Sequence, residues 1–185
     1  VSIDIKSAGT IEVSTGNSGN GNSGSDTKIE RLDFESYLKA EGKTGNNAQD
    51  VNGSVLSTGI NNVDKTFGNW NNGSVTTGSG NDTLIFNGKI NGNVTTGEGD
   101  DKVYVAQASD NGTLNLGNGN NEAHFKAKMD GKIIAGSGND EVRIDEGINK
   151  ADIDLGAGDN KLYIKNISNG NNGEIKFGDG SDKLV

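Results

Sequence analysis

The sequence predicts an all-β chain folded as a parallel, two-sheet β-solenoid, and three observations carry that prediction. A glycine turn recurs six times: GSGND at 78–82, GEGDD at 97–101, GNGNN at 117–121, GSGND at 136–140, GAGDN at 156–160 and GDGSD at 178–182. The turns start 19, 20, 19, 20 and 22 residues apart, and self-similarity at a nearly fixed period marks a stacked repeat protein. Each turn is flanked on both sides by short segments in which apolar residues alternate, the pattern of strands with one buried face.

Composition alone points elsewhere. With 30% hydrophobic residues, 30 glycines and a net charge of −9, a chain without repeats reads as disordered. A solenoid resolves the conflict, because it buries only a thin strip between its sheets and neighbouring coils cover that strip. The length of 185 residues then fits one elongated domain. No segment is long and apolar enough to span a membrane, and the opening VSIDIKS lacks a signal-peptide pattern. The acidic charge disfavours nucleic acid as a partner and favours cations. The absence of cysteine is compatible with export without disulfides.

In chain order, residues 1–51 form an N-terminal capping region. VSIDIK and TIEVS read as strands, interrupted by NSGNGNSGSD at 17–26 and resumed by TKIERL, so the segment reads as a coil with a lengthened turn, Asp26 standing at a candidate ligand position. DFESYLKAEGK at 33–43 is the one predicted helix. Asp33 can cap it, Phe34, Tyr37 and Leu38 share a face, and Gly42 can end it. Placed over the first coil it would hide an open strand edge. Solenoid repeats occupy 52–185 as about seven coils, the first of them degenerate, with Ile60 and Asn61 after Gly59. The pairs before each turn are Val75/Thr77, Val94/Thr96, Leu114/Leu116, Ile133/Ala135, Ile153/Leu155 and Ile175/Phe177; those after it are Leu84/Phe86, Val103/Val105, Ala123/Phe125, Val142/Ile144 and Leu162/Ile164, with Leu184 in the last coil. The chain stops at Val185 inside a coil, which predicts an open C-terminal end.

The turn itself suggests chemistry. A backbone that reverses within five residues with its carbonyls turned inward needs positive φ, which glycine supplies. An acid at the fifth position projects toward those carbonyls. Parallel stacking repeats it every ~4.8 Å, where two bare carboxylates repel by about 3 kcal/mol at an effective dielectric near 20. Calcium removes the conflict: it accepts six to eight oxygens from carboxylates and carbonyls in irregular geometry, whereas magnesium demands a stricter octahedron.

These residues resemble the repeats-in-toxin β-roll, whose nonapeptide GGxGxDxUx binds calcium. TGSGNDTLI at 77–85 and AGSGNDEVR at 135–143 match it except at the first glycine. A closer likeness is to the nineteen-residue, calcium-stacked repeats of giant bacterial surface adhesins, in which the opposite turn is a plain glycine turn. Here that turn is NG at 72–73, 91–92, 111–112 and 172–173, and DG at 130–131. The resemblance covers about residues 52–185. It implies a secreted or cell-surface bacterial protein, exported by a type I system and folded by calcium. It also implies a metal-binding set comprising Gly78, Gly80 and Asp82; Gly97, Gly99 and Asp101; Gly117, Gly119 and Asn121; Gly136, Gly138 and Asp140; Gly156, Gly158 and Asn160; and Gly178, Gly180 and Asp182. Asn121 and Asn160 put a neutral amide in the ligand place, which predicts weaker sites there. Asp100 and Asp159, one position earlier, compensate for them or simply solvate the outer turn.

The role expected is a structural or adhesive module; a surface-layer lattice subunit and a non-catalytic module of a toxin or exoenzyme are the alternatives, with surface protein, glycan or a second copy as partner. Ice binding needs a regular array. The third turn position runs Ser79, Glu98, Asn118, Ser137, Ala157, Asp179, and the outer ladder runs Thr76, Thr95, Asn115, Ile134, Asp154, Lys176. Catalysis is not expected, since no nucleophile and base can be paired. His124 falls on an outward ladder with Ile85, Tyr104, Arg143 and Tyr163, read as surface residues or a contact surface for glycan or protein.

Overall fold

The computed structural model describes residues 4–7, 10–13, 54–56, 62–67, 74–109, 111–167 and 173–185. Within them the chain is all-β. Sixteen strands run β1 (Asp4–Ser7), β2 (Thr10–Val13), β3 (Ser54–Leu56), β4 (Asp64–Phe67), β5 (Ser74–Ser79), β6 (Thr83–Phe86), β7 (Asn93–Glu98) and β8 (Lys102–Val105), then β9 (Thr113–Asn115), β10 (Glu122–Phe125), β11 (Lys132–Ile134), β12 (Glu141–Ile144), β13 (Asp152–Asp154), β14 (Lys161–Ile164), β15 (Glu174–Phe177) and β16 (Ser181–Leu184). Odd-numbered strands build one eight-stranded sheet and even-numbered strands another. Pairing is parallel throughout, so each coil contributes one strand to each sheet. The predicted helix at 33–43, Asp26 and the degenerate turn at 59–61 lie outside the described residues.

The alternating pairs seen in the sequence stack in register as core ladders. In the first sheet Val75, Val94, Leu114, Ile133, Ile153 and Ile175 align, and in the second Leu84, Val103, Ala123, Val142, Leu162 and Leu184 do. All are buried. The strip is narrow, and large side chains close its far side: Phe86 and Phe125 from the second sheet, and Ile90, Met129 and Ile148 from the turn opposite the GxG turn. Phe67 stacks on Phe86 with ring centroids 4.8 Å apart. Removing a ring such as that of Phe125 would cost about 3–5 kcal/mol, because neither sheet can close over the gap.

Two expectations are corrected here. The C-terminal coil is not an open end: β1 pairs with β15 and β2 with β16, so strands from the start of the chain cover the last repeat. The physical driver is the row of unpaired N–H and C=O groups that an edge strand presents. The second correction concerns the outward ladder of the second sheet. Ile85, Tyr104, His124 and Tyr163 are 0%, 5%, 4% and 9% exposed, so they are buried rather than surface residues. Strand alternation tells which side a residue faces; whether that side is solvated is a separate question.

The turn opposite also differs in cause from the sequence reading. Gly112, Gly131 and Gly173 are glycine because of close approach: a Cβ on any of them would run into the carbonyl oxygen of the coil before, at Ile90, Gly112 and Ala151 respectively.

Candidate metal centre

In the GxG turns both demands act together. Gly99, Gly119, Gly138 and Gly158 adopt φ between 124° and 129°, and a Cβ on each would overlap the carbonyl oxygen of the matching glycine one coil earlier. The turns therefore stack backbone on backbone, leaving the fourth and fifth residues to span the gaps between coils.

They do so in opposite directions. The fifth residues form an inner ladder in which each side chain reaches back to the previous coil. Asp82 Oδ1 accepts the Val63 N–H (2.7 Å), Asp101 Oδ1 that of Asp82 (2.8 Å), and Asn121 Oδ1 that of Asp101 (3.0 Å). Asp140, Asn160 and Asp182 continue the series at 2.9, 3.0 and 3.0 Å. The fourth residues form an outer ladder that reaches forward. Asn81 Oδ1 accepts the Asp100 N–H (2.9 Å), Asp100 that of Asn120 (2.7 Å), Asn120 that of Asn139 (2.9 Å), Asn139 that of Asp159 (2.8 Å) and Asp159 that of Ser181 (2.8 Å). Each such turn thus has two backbone donors satisfied by side chains of the coils on either side. Asp100 and Asp159 carry rungs of this outer ladder.

The inner ladder is bounded by apolar residues. Val63 occupies the fifth position of the degenerate coil and packs against the core, and Ile11 stands opposite Asp182 in the β2–β16 register.

All six inner residues are at most 2% exposed, and their second terminal atoms fall into two classes. The amides are satisfied. Asn121 Nδ2 donates to the Gly119 carbonyl (3.1 Å), and Asn160 Nδ2 donates to those of Gly158 (3.1 Å) and Gly156 (3.3 Å). The acids are not: Oδ2 of Asp82, Asp101, Asp140 and Asp182 is buried without a hydrogen-bond partner. Since Oδ1 plays the same part in both classes, Oδ2 occupies the corner that the amide NH2 fills in the Asn turns. There an acceptor faces the inward carbonyls, where the fold calls for a proton donor or a cation.

Electrostatics follow from that corner. Burial raises the Asp101 carboxyl to about 6, against the hydrogen bonds from the Asp82 backbone and Thr96 that lower it, and the charges of Asp82 and Asp100 add to the rise. Burial raises Asp140 to about 7, opposed by the hydrogen bonds from Asn121. Among the described residues no three acidic, imidazole or thiol side chains converge on one point, so any ion in this column would draw most of its oxygens from the backbone. The oxygen-only donor set, one carboxylate per turn beside carbonyls, fits a hard cation such as calcium.

The sequence placed the fifth-position column correctly in space but missed the outer ladder. Its signal was an Asn or Asp at the fourth position of five turns, ending in Ser181. Comparison of the chain with protein-family models, with curated proteins and with solved structures finds no match in any of the three.

Proposed function

We propose that the inner column is a calcium-binding edge and that the chain is a calcium-stabilised structural or adhesive module of a secreted bacterial surface protein. One observation carries the cation reading: four buried carboxylate oxygens lack partners in the corner where two asparagines donate to glycine carbonyls. A cation at Asp82, Asp101, Asp140 and Asp182 supplies what the amide hydrogens supply at Asn121 and Asn160. Calcium would therefore enter the four Asp turns and pass over the two Asn turns, whose oxygen and nitrogen are both committed. The surface role, type I export and the alternatives of a lattice subunit or toxin module rest on the resemblance of the GxGND repeats.

Several ions that bind only the stacked form would each add about 2.7 kcal/mol at a hundredfold excess over Kd. Circular dichroism with excess chelator should lose much of the β signal and regain it with calcium but not with magnesium at equal concentration. Unchanged spectra and melting in chelator would leave the column held by hydrogen bonds and protons alone.

A further inference from the structure

A second constellation lies away from the turn column, on the outward face of the second sheet. His124, Arg143 and Tyr163 are adjacent there in register, and Asp145 follows β12. Asp145 ties the first two together: its Oδ2 lies 2.9 Å from His124 Nε2, and its Oδ1 accepts from Arg143 Nε at 2.6 Å. Although partial burial works against it, the hydrogen bonds and charges of His124 and Arg143 lower the Asp145 pKa. The ring of Tyr104 meets that of His124 edge-on, with centroids 5.5 Å apart. The arrangement fixes the guanidinium by its Nε, leaving the paired terminal nitrogens uncommitted among the described residues.

Beside this cluster is a cavity of about 320 Å³ lined by Arg143, Asp145, Tyr163, Lys165 and the ends of β12 and β14, near the lower limit of small-molecule sites. Its polar inventory is unbalanced. The Tyr163 hydroxyl is buried without a partner, and burial pushes its pKa up to about 12, so at neutral pH it is a donor. The Arg143 terminal nitrogens and the Lys165 ammonium, which enters none of the ion pairs among the described residues, can only donate. Both oxygens of the one acid, Asp145, are already engaged. Three donors of two residue types with positive charge surround space that no acceptor fills, in a chain whose net charge is −9.

We propose that this cavity binds a carboxylate-bearing sugar, the carboxylate pairing with the Arg143 guanidinium and Lys165 while its acceptor oxygens take the Tyr163 O–H. A planar carboxylate matches the guanidinium fork bidentately, and the cavity holds a body of monosaccharide size. Peptide carboxylates share the charge but not the compact ring of hydroxyls.

The test is a chemical-shift titration of the calcium-saturated chain with glucuronate, and with glucose as the neutral counterpart, at one fixed free calcium level. Shifts at Tyr163 and Arg143 that saturate with glucuronate in the millimolar range and are absent with glucose are expected. Lys165→Gln alters only an exposed side chain and Tyr163→Phe keeps the ring; each should weaken binding roughly tenfold, as loss of a hydrogen bond to a charged group does, with unchanged melting. Equal response to glucose, an acidic dipeptide binding more tightly than glucuronate, or both variants binding like the parent would overturn the assignment. So would no binding at all by a parent that is folded and calcium-loaded, and that result would leave the turn column untouched.

Discussion

Replacing Asp140 by Asn isolates one rung of the inner column. The asparagine keeps the oxygen that accepts the Asn121 N–H at 2.9 Å and places a donor in the corner where Oδ2 has no partner. The two native Asn turns show the outcome, each amide donating to a glycine carbonyl at 3.1 Å. A carboxyl held at about 7 instead of its ordinary 3.8 costs the folded state roughly 4 kcal/mol when fully ionised, and the new hydrogen bond adds about 1 kcal/mol. The sign runs one way: the folded pKa lies above the unfolded one, so the group's stabilising contribution is complete below pH 3.8 and is lost as pH rises through 7. In chelator at pH 8 the variant should be more stable than the parent by about 2–4 kcal/mol, allowing for relaxation, or roughly 5–15 °C in Tm for a chain of this size. At pH 4 the gain should shrink to about 1 kcal/mol. In saturating calcium the order should reverse, since the variant forfeits one ion. Thermal melts in four conditions, chelator or calcium at pH 4 and pH 8, give the whole comparison. A variant less stable than the parent in chelator at pH 8 would refute the reasoning, because Oδ2 would then have a partner worth more than the amide's.

Asn121→Asp should do the opposite: without cations it adds a buried charge between Asp101 and Asp140, repelling each ionised neighbour by on the order of 3 kcal/mol, and calorimetric titration should show one more calcium bound than in the parent. Asp101→Ala removes the acceptor of the Asp82 N–H along with a ligand, so it should weaken calcium binding and cost more stability in calcium than in chelator, measured by denaturant unfolding in both. Gly138→Ala asks an L-residue to hold φ 124° with its Cβ in the Gly119 carbonyl; a loss of at least 3 kcal/mol in the same unfolding assay is expected from strain and displaced stacking.

Period and alternation made most of the architecture readable before any coordinates. Leu84, Val103, Ala123, Val142 and Leu162 align as their spacing required, since a fixed repeat leaves a parallel strand one register that buries its apolar face. Three features needed the fold. DIKS and TIEV carry no GxGND turn between them, so nothing local linked them to the last coil, with which they pair. The direction of the outer ladder depends on which neighbour's N–H comes within reach of Asn81 or Asp100, a matter of turn geometry. The burial of His124 and Ile85 depends on what lies over the outward face, about which alternation is silent.

The pairing of Asp4 with Glu174 joins residues about 170 positions apart, whereas every other coil is laid on a neighbour 19 to 22 residues away. Closing the longer loop costs about 2 kcal/mol more than closing a coil-length one, with no more strand contact in return. The first strands to leave the ribosome are thus the last to find a partner, and the final repeat waits with its edge and the Asp182 rung uncovered until they arrive. At high concentration that waiting edge meets the opening strands of another molecule as readily as its own, so the seam that completes one solenoid is also where two can exchange ends.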